Sequence, residues 1–240
     1  MRRRFFVEQV RNGQAEITGD DAAHLTRVLR VEVGQRYEIS DNLNVYLAEI
    51  ESARKSEVVF KTIEKLPVRD AGAHLILCAA IIKFDRFEWM IEKATELGAS
   101  EIIPVICTRT ERGLDKAAFK RVERWRRIAL EASQQSRRSH LPEIHDPWTF
   151  DQAVKLDCLH RFVLDEEPGG VSFTTELASQ LKSTAKAAIL VGPEGGWTAE
   201  EREHFMHSAW TRISMGPLIL RAETAAIAAL AVVANAWLLD

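Results

Sequence analysis

The rhythm of apolar and polar positions changes near residue 70. Before it, apolar residues come in short runs. "YEISD", "VYLAEI" and "EVVFKTI" read as short strands, bounded by Gly34, "DNLN" and "SARKS". The segment 20–30, "DDAAHLTRVLR", predicts a helix capped by Asp20 or Asp21, with Leu25, Val28 and Leu29 on one face. Together these elements predict a small β-barrel-like domain that carries a helix. Pro67 and the following "VRDAGA" mark a linker, so we place the boundary between residues 1–70 and 71–240.

Beyond the linker the pattern lengthens. "AHLILCAAII" (73–82) is a continuous apolar strand. In "FDRFEWMIEKATELG", Phe87, Met90, Ile91, Ala94 and Leu97 share a helical face, and Gly98 stops the helix. "EIIPVIC" is the next strand, and one long basic helix is expected over 115–137. Strands follow at "RFVLD" (161–165), "AAILVG" (187–192) and "RISM", alternating with helices at "TTELASQLK", "AEEREHFMHSA" and 222–239. Strands that are apolar throughout, alternating with helices, predict an α/β fold with a parallel sheet covered on both faces.

Composition narrows this little. A chain of 240 residues that is 46% hydrophobic has ample core for one or two domains. A net charge of −3 selects no class of partner. Cys78, Cys107 and Cys158 match no metal knuckle and no disulfide framework, so reduced thiols and no metal are expected. The N-terminal "MRRRFFVEQV" lacks an apolar stretch after its arginines, which speaks against a signal peptide. The apolar run 225–239 is too short to span a bilayer and is interrupted by Asn235. A soluble, cytoplasmic protein with no membrane partner is expected. Charge is more informative when read locally. Residues 109–140 hold ten Lys and Arg against four Asp and Glu. Such a block is either a solvated helix face or a surface for a polyanion.

Three stretches carry candidate chemistry. "LVGPEGGWTAEE" (190–201) follows an apolar strand, and Thr198 with Glu201 forms a capping box for the next helix. That puts the turn at the carboxyl end of a strand, where α/β folds bind ligands. A phosphate loop would continue with Lys-Ser/Thr where Trp197 and Thr198 stand, and Glu194 would repel a phosphate. A ligand with adenine and ribose edges, a positive centre and no phosphate fits better, and S-adenosylmethionine is of that kind. A plain tight turn is the other reading. The second stretch is "SMGPLILRAETAAIAAL" (214–230), with Arg221, Glu223 and Thr224 around a helix start. A Glu there can simply complement the helix dipole. Yet two Gly-Pro loops after two strands, each with a glutamate, can clasp one ligand. The third stretch, 121–142, offers Arg121, Arg124, Arg127, Gln135 and Arg138 to a nucleic-acid backbone, while Trp125 is either a stacking surface or core.

"GPEGGWTAEE", "MGPLILRAETA", "KFDRFEWMIEKATELGASEIIPVICTRTE" and "RWRRIALEASQQSRRSHLPEI" together resemble the bacterial 16S ribosomal RNA (uracil-N3)-methyltransferases of the SPOUT superfamily. "HLTRVLR" and the glycine after it are similar to that family's small PUA-like domain. The resemblance runs over nearly all of the chain. It implies a SPOUT-type knotted parallel sheet preceded by a PUA-like RNA-binding domain, S-adenosylmethionine as cofactor, a homodimer, and 16S rRNA of the small subunit as partner. It puts the cofactor loops on Leu164, on Gly192, Pro193, Glu194, Gly195 and Gly196, and on Met215, Gly216, Ile219, Leu220 and Arg221. The chain departs from the family at Leu218, where Arg is common, at Ala222, where Thr is common, at Arg137, and at "DNLN".

Methylating uracil at N3 requires loss of the N3 proton. Glu223 is the first candidate base and Glu194 the second, with Arg221 stabilising charge on the uracil oxygens. An ordinary Glu, with a pKa of about 4.3, is a poor base, so its site has to raise that value. Arg2, Arg3, Arg4 and Arg30 are the expected phosphate contacts, joined by Arg124, Arg127 and Arg138. Three rivals stand beside this reading: a SPOUT enzyme with another RNA target, an RNA-binding assembly factor without catalysis, and an α/β enzyme for a phosphate ligand.

Overall fold

The computed structural model describes residues 3–68, 74–180 and 186–236. By internal contacts the chain divides into two compact units, 1–70 with 133–141 and 71–132 with 142–240.

The first unit holds β1 (Arg4–Phe6), β2 (Gln14–Thr18), α1 (Gly19–Arg27), β3 (Arg36–Ser40), β4 (Val45–Arg54) and β5 (Glu57–Leu66). Its five strands form one sheet in the order β1-β3-β4-β5-β2. The β1–β3 pairing is parallel and the other three are antiparallel. Two register shifts between β4 and β5 bend the pair, as bulges do. The curled sheet and α1 enclose a core of Phe5, Ile39, Ile50, Val58 and Phe60, capped by Ala22 and Leu25. Strands β1 and β2 are additions to what the hydrophobic pattern predicts. Both are short, and β1 lies in a segment whose arginines mask its alternation.

The second unit follows with β6 (His74–Ala80), α2 (Phe84–Glu96), β7 (Glu101–Ile106), α3 (Leu114–Ala118), α4 (Val122–Ser136), β8 (Glu143–Ile144), β9 (Trp148–Thr149) and α5 (Phe150–Val154). Then come β10 (His160–Leu164), β11 (Val171–Ser172), α6 (Phe173–Gln180), β12 (Lys186–Val191), α7 (Ala199–His207), β13 (Thr211–Ser214) and α8 (Ala222–Ala236). The sheet order is β11-β13-β10-β12-β6-β7-β8, with β9 also on β7, and every pairing is parallel. The apolar strands feed two cores. On β6, Leu75, Leu77 and Ala79 join α2, α6 and α8 on one face, while Ile76, Cys78 and Ala80 join α5 and α7 on the other. A strand buried on both faces needs no polar position, which is why these runs are continuous.

The expected helix over 115–137 is broken. α3 ends at Ala118, and Lys120 and Arg121 close tight i−3 turns before α4 begins. No Gly or Pro marks the break. Trp125 settles as core: it is fully buried against Phe84 and Phe87. The linker residues 69–73 and the end of the final helix, 237–240, lie outside the described residues.

Candidate active site

Because all strands of the second sheet are parallel, their carboxyl ends share one rim. Three loops leave that rim after β10, β12 and β13, and they enclose a cavity of about 490 Å³. Leu164, Gly192, Pro193, Glu194, Gly195, Gly196, Met215, Gly216, Ile219, Leu220 and Arg221 all line it. The two Gly-Pro loops thus meet around one space, with Ala222 and Ala225 of the first turn of α8 between them.

Each loop has a local cause. After β12, Gly196 donates its N–H to Pro193 O at 2.8 Å, closing a tight turn over Glu194 and Gly195. Gly196 sits at φ +71°, a conformation that favours glycine. Gly192 is required for a different reason: a Cβ there would lie 2.8 Å from the Trp197 ring. That ring is buried, and its Nε1 donates to Leu164 O at 2.8 Å, tying the β12 loop to the β10 loop. The Thr198–Glu201 capping box forms as expected, starting α7. Glu201 is buried, and its second oxygen accepts the Thr108 N–H at 2.8 Å. After β13, Gly216 has φ +117° and open space where a side chain would stand.

Several residues of the site escaped the sequence reading. Asp165, Glu166 and Trp197 line the cavity. Asp165 is buried and held by Arg202 and Arg212, with Arg212 Nη2 at 2.9 Å. Arg202 also reaches Glu166 and Glu167, so one cation gathers the acidic loop after β10. Arg109, in the loop after β7, donates from Nη1 to Gly195 O at 2.6 Å. Arg86, in the first turn of α2, pairs with Glu194. The run "DEE" directly after a strand was a legible signal; Arg86 and Arg109 lie far from the loop in sequence and carried none.

The catalytic candidates are placed differently from each other. Arg221 is exposed, lines the cavity, and its C=O accepts the first backbone bond of α8 from Ala225 N at 2.8 Å. Glu223 is 6% exposed, is not among the lining residues, and its Oε2 has no hydrogen-bond partner.

The arginines expected on phosphates separate as well. Arg2 lies outside the described residues. Arg3 and Arg30 are exposed. Arg4 is a correction: it is 8% exposed, binds Glu38 through Nε and Nη2, and donates from Nη1 to Arg137 O and Ser139 Oγ. A guanidinium so engaged presents no face to an RNA backbone. Arg124 and Arg127 are exposed and pair with Glu88 and Glu131. Arg138 is half-buried; burial pulls its pKa down to about 10, and its Nε donates to His140 O at 3.0 Å.

The chain is similar to known proteins along most of its length. Residues 69–234 match a family model for the RNA methyltransferase domain, and residues 17–63 match one for the RNA methyltransferase PUA domain. The chain is 31% identical to ribosomal RNA small subunit methyltransferase E of Bacillus subtilis, across 96% of this chain and 95% of that one. It is 32% identical to the protein of the same name from Synechocystis, across 93% of this chain and 74% of that one. A Legionella pneumophila structure described as a methyltransferase with bound S-adenosylmethionine superposes with a TM-score of 0.89 at 28% identity, over 98% of both chains. By the extent of the family match and of these identities, the chain belongs to the RNA methyltransferase family.

Proposed function

We propose that this protein methylates uracil at N3 in 16S rRNA of the small ribosomal subunit, with S-adenosylmethionine as methyl donor. The observation that carries the reading is the cavity that the two Gly-Pro loops enclose. Its volume is within the range of ligand pockets, roughly 300–1,000 Å³. Its walls are mostly main chain and apolar side chains, and among the described lining residues there is no lysine. The lining carboxylates Asp165, Glu166 and Glu194 are paired with Arg202, Arg212 and Arg86, and among the described lining residues Arg221 is the one cation, so the walls offer little to a phosphate. The residues present therefore fit S-adenosylmethionine, held by 192–196, by 215–220 and by Leu164. When bound, that cofactor supplies an electrophilic methyl group on a sulfonium.

The chain's own residues then have three tasks. The glycine loops bring main-chain groups close, and alignment of the reacting atoms is the largest available contribution, about 7–11 kcal/mol in favourable cases. Arg221, a cation at the cavity wall, is suited to stabilise negative charge on a uracil oxygen. Glu223 is assigned to accept the N3 proton. Its unpartnered buried oxygen supports the assignment, since such groups are costly unless they serve a purpose. Because Glu223 stands outside the lining, its side chain has to turn toward the cavity when uracil enters.

Around this centre, the first unit serves as the PUA-like RNA-binding domain and 71–240 as the SPOUT domain with its knot. Two copies form the homodimer; Leu218 and Ile219, 76% and 85% exposed beside the cavity, are apolar side chains suited to being covered by a second copy. A ribosomal substrate puts the protein's work in the cytoplasm.

The test supplies purified protein, labelled cofactor and small subunits from a strain lacking the modification, with mass spectrometry to locate the methyl group. Methyl transfer to uracil N3 is expected. Transfer to another atom or RNA supports the rival SPOUT target, and cofactor binding without transfer supports an assembly factor. Glu223→Gln is expected to lower turnover about 10²–10⁴-fold with cofactor affinity retained; wild-type turnover would remove Glu223 from the mechanism.

A further inference from the structure

The side-chain acceptors on the cavity wall are mostly committed to protein partners. Asp165, whose side chain is fully buried, gives its two oxygens to Arg202 and Arg212. Ser214 Oγ lies 3.4 Å from Gly216 N and is used within its own loop. Glu194 pairs with Arg86 of α2 and belongs to the glycine turn itself. Glu166 differs from all three. Its Oε1 accepts Arg202 Nη2 at 3.3 Å, and among the described residues its Oε2 has no partner. The carboxylate also reaches from the loop after β10 to the glycine turn after β12, because a Cβ on Gly196 would collide with its Oε1.

We propose, resting on the reading of the cavity as an S-adenosylmethionine site, that Glu166 recognises the cofactor's ribose, its carboxylate accepting the sugar hydroxyls. Three observations support it. The first is position. Glu166 lines the cavity, follows the carboxyl end of a parallel strand and faces a glycine turn. An acidic side chain near the carboxyl rim of a parallel sheet is a device by which α/β folds take up a ribose hydroxyl. The second is capacity. An ionised carboxylate only accepts, with two oxygens and about four lone-pair sites, whereas a ribose diol presents two donors side by side. The third is preorganisation. Arg202, which holds Oε1, is itself fixed by Asp165 and by Trp197 O at 2.9 Å. Glu166 is therefore held before a ligand arrives, which lowers the ordering cost of binding.

The cofactor's α-ammonium is the competing group for this carboxylate, and Arg202 decides against it. A carboxylate that already shares a guanidinium has less charge to offer a second cation, and an ammonium there would stand close to that guanidinium. Neutral hydroxyls meet no such repulsion, and hydrogen bonds to an ionised acceptor are the stronger kind. A site built to bond a hydroxyl also discriminates against the analogue that lacks it.

The experiment is calorimetry on the full chain with three ligands: S-adenosylhomocysteine, its analogue without the two ribose hydroxyls, and methylthioadenosine, which keeps the nucleoside and lacks the amino acid. The wild type is expected to bind the analogue about tenfold or more weakly than S-adenosylhomocysteine, the scale of a hydrogen bond to a charged group. In Glu166→Ala that gap should close, because S-adenosylhomocysteine loses affinity and the analogue does not. The preference for S-adenosylhomocysteine over methylthioadenosine should be the same in both proteins. A merely structural role would weaken all three ligands alike and leave the ribose gap intact, which overturns the proposal. So does a variant that keeps the ribose gap and loses its preference over methylthioadenosine, since the carboxylate then faces the ammonium. Glu166 is exposed, so its variants are expected to melt as the wild type does. Should Glu166→Ala fail to fold, Glu166→Gln decides: a narrowed ribose gap upholds the subsite, and an unchanged one overturns it. Wild-type binding without a ribose gap overturns this subsite alone, whereas a wild type that binds none of the three overturns the cofactor reading and the subsite with it.

Discussion

Arg2, Arg3 and Arg4 form an unbroken basic run, yet Arg4 uses its charge inside the protein. Residue type alone does not separate them; the partner does, and Glu38 lies on another strand. Burial pushes the Glu38 carboxyl up, but hydrogen bonds from Arg4 and Arg137 outweigh it, so its folded pKa lies below the ordinary 4.5. A depressed carboxylate contributes stability that is present above its unfolded pKa and is lost as pH falls through the folded value. Urea melts across a pH series should therefore show acid destabilisation beginning near pH 4.5, flattened in Glu38→Gln. Arg4→Met should cost about 3 kcal/mol at neutral pH, the lower end for a broken buried pair, because Arg137 remains beside Glu38. An unchanged melt would mean the pair is structurally idle. A second residue-scale prediction concerns Gly192. Its φ is unremarkable, so alanine fails there only by collision with the Trp197 ring. Gly192→Ala should destabilise by about 1–3 kcal/mol and weaken cofactor binding at least tenfold, read by thermal melts and by calorimetry with S-adenosylmethionine. Wild-type affinity would show that the turn yields without deforming the cavity.

Elements were legible where local pattern governs them. The Thr198–Glu201 box, the Gly98 stop and the doubly buried strands are encoded within a few residues, and the structure has them. α5 was also legible: Thr149 and Gln152 form a capping box of the same kind, in a segment whose helix is a single turn and easily passed over. The break between α3 and α4 was not, because nothing at 119–121 opposes a helix. The site shows the same division. Its glycine loops could be read from "GPEGG" and "MGPLIL", whereas Arg109 could not, since its partner Gly195 is a backbone carbonyl 86 residues away. That contact yields an element-scale prediction. Arg109 lies along Gly195 as well as bonding to its carbonyl, with its Cδ 3.3 Å from where a Cβ would stand. Arg109→Ala should loosen the β12 loop without disturbing the core. The expected result is a several-fold rise in the dissociation constant for S-adenosylmethionine, a melt shifted by about 1–2 kcal/mol or less, and partial rescue by lysine. A loss of fold instead would make Arg109 a core brace rather than a loop brace.

At the scale of the molecule, the parallel sheet collects its glycine loops on one rim, at the carboxyl ends of the strands. A boundary placed near residue 70 leaves out 133–141, which pack with the first unit. Ser40 Oγ donates to Ser139 O at 2.7 Å, and Asn42 Oδ1 accepts Leu141 N at 2.7 Å. Long-range polar contacts of that sort leave no periodicity. Charge follows the same logic. The basic block 109–140 is partly consumed by internal pairs, so its formal charge overstates what an RNA would meet. Under the proposed function, the arginines that remain outward should set the salt dependence of binding. Each phosphate neutralised contributes about 0.7–0.9 to the slope of log affinity against log salt. Fluorescence anisotropy of a 16S rRNA fragment over a salt series should give a straight, falling line. Arg3→Ala and Arg30→Ala, both at exposed positions, should each lower the slope by about 0.7–0.9. Arg4→Met, under conditions where it stays folded, should leave the slope unchanged, because its guanidinium is held by Glu38, Arg137 and Ser139. A flat wild-type response would exclude backbone contacts as the source of affinity, and a reduced slope in Arg4→Met alone would return that residue to the RNA surface.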